Sequence, residues 1–148
     1  MGIKNQRPHL SSLETGWNKF WKDFWSGTKP TIEASWCKTG RINQGLKTKI
    51  TISINSIISH HRTKFKIGKT GDAYIRGDKK DYRNDYHFMY LLYKSKSSSY
   101  VSELEEHYIE KYMKSHPKAN QNKRVRAPGK KMYSYDGYYY LYIVCTDE

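Results

Sequence analysis

Lys66-Ile67-Gly68-Lys69-Thr70, Arg76, Glu105 and Asn120 are the side chains of this sequence whose types and order suit work on a phosphate. An arginine within a turn of a glycine can hold phosphate oxygens in its planar fork and offset the charge that accumulates on them in a transition state. Glu105 stands four residues after Val101 and four before Ile109, so a helix sets it on their apolar row, while Glu103, Glu106 and Glu110 take the far side. An inward carboxylate is costly alone, which predicts a cation beside it, either a metal ion or a basic side chain such as Arg76. A single Mg2+, or Mn2+ in its place, suits one protein carboxylate, because it keeps most of its waters and borrows oxygens from the substrate. Lys66 is either a strand lysine whose stem lies along apolar surface or an ammonium that orients phosphate or water.

Charge points to the same class of partner. The chain of 148 residues carries 27 Lys/Arg against 14 Asp/Glu, a formal net charge of +13, and its first 74 residues hold 13 of the bases and only 4 of the acids. Such an excess draws polyanions by counterion release. Six bases and no acid lie between Lys118 and Lys131, so Lys123, Arg124, Arg126, Lys130 and Lys131, with Lys64 and Lys69 beside the glycine, are the expected nucleic-acid contacts. Cys37 and Cys145 lack metal-ligand spacing and make no disulfide framework. No apolar run reaches the length of a membrane span and no signal peptide is visible, which predicts an intracellular protein with no membrane partner.

These side chains need a scaffold. Ser11 to Glu14 forms a capping box, and Trp17, Phe20, Trp21, Phe24 and Trp25 follow at helical spacing, predicting an aromatic helix over about 12 to 26 in an extension of residues 1 to 45. That stripe can pack on the main domain, stack on bases or seal a homodimer. Within 46 to 148, Ile50, Ile52 and Ile54 alternate with polar residues and predict a strand over 49 to 58. It would turn through His60 and His61 into a returning strand over 63 to 67, closed by Gly68. A short helix capped by Asp72 would carry Arg76. A strand over 86 to 93 and a helix over about 100 to 115 come next, and Asp136-Gly137 predicts a closing hairpin of 132–135 with 138–144. The expected class is α+β, a small mixed, largely antiparallel sheet flanked by helices.

The spacing of these parts resembles the GIY-YIG nuclease superfamily, in the branch where lysine replaces the second tyrosine. Lys66-Ile67-Gly68 stands in the second motif, Arg76 lies ten residues beyond Lys66, Glu105 sits on the later helix, and Asn120 follows fifteen residues on. The resemblance spans roughly residues 49 to 122. It implies a divalent-metal endonuclease acting on the phosphodiesters of double-stranded DNA, in which Glu105 holds the ion, Arg76 the phosphate, Lys66 the nucleophile or phosphate, and Asn120 supports the site. The family's first motif places a tyrosine ten or eleven residues before Lys66, where this chain has Ser56 and Asn55, and residues 47 to 73 contain no tyrosine. In the family that hydroxyl helps to activate water, so another base is needed here. His60 and His61 are candidates because imidazole accepts a proton near neutral pH. Tyr82 and Tyr86 lie where members carry an additional hydroxyl, with Lys80 in the most direct position. The competing expectations are a DNA-binding protein that has lost catalysis and a basic RNA-associated structural protein.

Overall fold

Leu46, Ile50, Ile54 and Ile57 recur at intervals of four, four and three, and in the computed structural model they line the buried face of a 17-residue helix, α1 (Gln44–His60). The structure describes residues 30–60, 64–77, 82, 85–125 and 132–146. The aromatic helix expected over 12 to 26, and with it His61, Lys80, Arg126, Lys130 and Lys131, lie outside them.

Helix α1 corrects the expected strand over 49 to 58. Two features decide the competition in favour of the helix. The Asn43 Oδ1 accepts the Leu46 N–H at 2.8 Å, an N-cap that satisfies one of the donors orphaned at a helix start. Alternation would bury Ile50, Ile52 and Ile54 together, whereas Ile52 is 63% exposed and Ile50 and Ile54 are fully covered. The expected first hairpin is therefore absent, and the positions of the missing tyrosine, Asn55 and Ser56, ride on α1.

The sheet has strand order β1-β3-β4-β2, built from β1 (Thr31–Glu33), β2 (Phe65–Thr70), β3 (Phe88–Ser95) and β4 (Tyr139–Cys145). Strand β4 is antiparallel to both β2 and β3, while β1 runs parallel to β3, so the class is α+β with a mixed sheet. Gly68 sits inside β2, opposite Tyr142, instead of ending the strand. The expected C-terminal hairpin is also corrected. Gly137 does turn the chain at φ +90°, but residues 132–134 form no strand, and the Tyr135 N–H donates to the Gly71 carbonyl at 2.9 Å. The strand after the turn instead enters the middle of the sheet, where ladders on both sides satisfy its backbone.

Helix α2 (Ala73–Gly77) follows β2 directly, and α3 (Ser98–Ser115) starts at Ser97, whose Oγ accepts the Tyr100 N–H at 3.2 Å. Helices α1 and α3 cover one face of the sheet, packing against Phe65, Ile67, Leu141 and Ile143. They are tied by polar contacts too: Tyr108 Oη donates to the Lys47 carbonyl at 2.8 Å, and Tyr112 Oη to Asn55 Oδ1 at 2.6 Å. Met89 and Leu91 face the opposite layer with Ala73, Tyr82, Tyr86, Tyr142 and Val144, and a β-bulge between Leu91 and Tyr93 then breaks the alternation so that Leu92 and Tyr93 both face α1 and α3. No helix among the described residues is long and apolar enough to cross a membrane.

Candidate functional site

Edge strand β2 brings the chemistry-bearing residues together, because alternation along it sends neighbours to opposite faces. Lys69 projects to the α3 face. Its ammonium donates to Ser102 Oγ at 2.8 Å and lies 3.6 Å from Glu105 Oε1. Glu105 is 8% exposed, whereas Glu103 and Glu110 on the same helix are open to solvent. Burial raises the Glu105 pKa above the ordinary carboxylate value, with Lys69 and, more weakly, Arg76 opposing it. Among the described residues, the cation within 4 Å of this carboxylate is thus Lys69 rather than Arg76, and Lys69, expected to contact nucleic acid, is paired within the protein.

Lys66 projects to the other face, its ammonium 5.7 Å from the centroid of the Tyr82 ring. There, helix α2 presents Arg76, half-buried. Its N–H donates to the Asp72 carbonyl at 3.0 Å, and Asp72 itself is placed by a turn in which its N–H donates to Thr70 Oγ1. Burial pulls the Arg76 pKa down, but the Tyr142 and Tyr82 phenols outweigh it by charge and hydrogen bonding, so the net shift is upward and the guanidinium stays charged.

Tyr142 is the residue the sequence reading missed. It arrives on β4, 76 residues after Lys66, and its ring lies over Gly68, where a Cβ would overlap the phenol oxygen. Its hydroxyl is 2.6 Å from that of Tyr82, and the two rings meet edge to face with centroids 6.1 Å apart. Complete burial drives the Tyr142 pKa well above that of a free phenol; Tyr82 and Glu105 push the same way and Arg76 opposes them. Glu105 therefore senses Arg76, and Tyr142 senses both. Gly68, with no Cβ, lets the Tyr142 phenol lie directly against β2. Tyr86 stands against the far side of Tyr82, rings 5.4 Å apart.

The remaining expected site residues lie elsewhere. His60 ends α1 in solvent, its Nδ1 3.2 Å from the Ser56 carbonyl oxygen, beyond the Phe65 end of β2 rather than in a hairpin turn. Asn120 is buried beside Phe65, its Oδ1 accepting the Asn122 N–H at 2.7 Å, and its Nδ2 has no partner among the described residues. Asn122 does what sequence reading assigned to no residue: it clamps the free edge of β2, accepting the Ile67 N–H at 3.0 Å and donating to the Ile67 carbonyl at 2.8 Å. Lys64, Lys123 and Arg124 are exposed. Among the described residues, no group of three or more His, Cys, Asp or Glu converges as a metal site would require if protein ligands alone held the ion. Compared with known proteins, the chain matches no family model, no curated protein and no solved structure.

Proposed function

We propose that this chain is a GIY-YIG-like endonuclease that hydrolyses DNA phosphodiester bonds, with Tyr142 from the C-terminal strand supplying the phenol that its first-motif positions lack. One observation carries the reading. Around the Gly68–Tyr142 pair, the Glu105 carboxylate lies 3.6 Å from the Lys69 ammonium, the Tyr142 and Tyr82 hydroxyls are 2.6 Å apart, and Arg76 is near enough to oppose the upward pKa shifts of both Glu105 and Tyr142. Clusters of mutually perturbed groups of this kind favour catalysis over simple packing. The +13 net charge suits a polyanionic substrate.

Glu105 fits a divalent ion, because its carboxylate is desolvated and Lys69 alone leaves it under-neutralised. When bound, Mg2+ or Mn2+ would supply Lewis acidity and make a coordinated water a better nucleophile. Arg76 holds the non-bridging phosphate oxygens and opposes the charge that grows on them. Lys66 adds a second positive charge on the same face. Burial keeps the Tyr142 proton in place, so its hydroxyl acts through its hydrogen bond with Tyr82, positioning that phenol beside Arg76 rather than acting as a standing phenolate. Water adds to phosphorus and the ester P–O bond breaks, leaving a phosphate on one strand end and a hydroxyl on the other.

The second reading, a DNA-binding protein without catalysis, draws support from the Lys69 ammonium at 3.6 Å, which already occupies the carboxylate. Relaxation of supercoiled plasmid with Mg2+ and with chelator separates the two. Hydrolysis predicts metal-dependent nicking that Glu105→Ala abolishes while DNA binding persists. Binding without nicking by the unaltered chain selects the second reading.

A further inference from the structure

Away from Glu105, the described residues line two adjoining open clefts of about 520 and 510 Å³ that share Thr39, Gly40 and Arg41. The first is also lined by Lys38 and Lys49, the second by Lys94, Lys96, Tyr100 and Tyr138, and neither is lined by a carboxylate. The loop between them is held firmly. The Lys38 N–H donates to the Leu92 carbonyl and the Lys94 N–H to that of Lys38, both at 2.9 Å, and Tyr93 Oη donates to the Gly40 carbonyl at 2.7 Å. Gly40 takes φ +111°, a left-handed conformation that side-chain-bearing residues rarely adopt, with open space where a Cβ would stand. On the far wall, the Lys94 and Lys96 ammonium groups stand 4.7 and 5.8 Å from the Tyr138 ring centroid, and Tyr100 is 42% exposed at the rim.

We infer that this double cleft binds an unpaired polynucleotide strand. Arg41, Lys49, Lys94 and Lys96, with no acid in the lining, attract successive phosphates, which account for most of the affinity in such complexes, while the Lys38 ammonium is held by the Trp36 carbonyl and Ser53 Oγ. The exposed phenol offers a platform for base stacking, a contact open to splayed bases and closed to paired ones. Each hollow has the volume of a small-molecule pocket, room for one unstacked nucleotide rather than the side of a duplex. The inference rests on the nucleic-acid part of the functional reading and not on cleavage.

Fluorescence anisotropy with labelled single-stranded DNA, RNA of the same sequence, the matching DNA duplex and heparin tests it, using metal-free protein carrying Glu105→Ala. Adding Arg41→Glu with Lys96→Glu should weaken single-strand binding at least tenfold and lower its salt slope by about one to two. Tyr100→Ala should weaken it by about tenfold and leave duplex and heparin unchanged, with thermal melts confirming that the variants are folded. A preference for the DNA or the RNA strand identifies the natural source, and either strand supports the site. Equal losses on heparin and single strands, undiminished single-strand binding by the folded variants, or no single-strand binding by the parent protein would overturn it. Loss of nicking with Arg41-dependent binding intact would count only against the catalytic reading.

Discussion

On one face of the sheet, two helices of 17 and 18 residues lay Ile50, Ile54, Leu104 and Ile109 against Ile67, Leu141 and Ile143; on the other, the five-residue helix α2 leaves Tyr82, Tyr86 and Tyr142 to cover the strands. The first face is aliphatic where α1 meets the sheet and also buries Phe65, Tyr93, Tyr108 and Tyr112, the three phenols bonding to the Gly40 and Lys47 carbonyls and to Asn55. The second buries phenols against a guanidinium. Each buried phenol there needs a partner, and the partner of Tyr142 is another phenol. Both sides bury polar groups, Glu105 on the helix side among them; what sets the α2 side apart is that its phenols bond to one another beside a guanidinium. At edge strand β2, Lys69 faces one side and Lys66 the other, with the Tyr142 phenol packed against Gly68 between them.

Substitutions should reveal that division, and the largest effect belongs to the aliphatic face. Truncating Ile54→Ala leaves a void between α1 and the sheet and should destabilise by about 2–5 kcal/mol in urea unfolding, with intrinsic activity per folded molecule unchanged. Gly68→Ala forces a methyl into the Tyr142 phenol and should cost about 1–3 kcal/mol, and here activity should fall as well, because the phenol must move. Tyr142→Phe removes one hydroxyl and leaves that of Tyr82 short of a partner. It should cost only about 1–2 kcal/mol in a chemical melt but lower DNA nicking by about a hundredfold or more.

The smallest and most diagnostic effect is at Glu105. Its pKa is raised in the folded chain, so between the ordinary carboxylate value and the raised one the folded state holds more proton than the unfolded state. Stability is then highest below that window and declines as pH rises through it. Glu105→Gln should flatten this part of the stability–pH curve and be no less stable than the parent at neutral pH, measured by thermal denaturation at several pH values without metal. A stability profile left unchanged by the substitution would show that burial does not disfavour the charged carboxylate.

Local signals in the sequence located much of this. The strand at Phe88–Ser95, the helix at Ser98–Ser115 and the burial of Glu105 all follow from periodicity within one element. Helix α1 was masked because Thr51 to Ile58 is rich in β-branched residues, which read as strand when their partners are unknown. The Asn43 cap and the Ile50–Ile54–Ile57 spacing were the contrary signal. Tyr142 was not legible at all, since its role depends on β4 entering between β2 and β3, a pairing of residues far apart in sequence that no local pattern encodes. The tyrosine-rich run after Asp136-Gly137 marked a strand but not its neighbours.

A double-mutant cycle on metal-dependent plasmid nicking tests most directly whether the two sides of β2 act as one site. Glu105→Gln and Tyr142→Phe are measured singly and together. The account predicts that each alone brings nicking close to background and that the pair is scarcely worse, as for groups that act as a unit. Independent, multiplicative losses, or either single variant nicking at the parent rate, would contradict it.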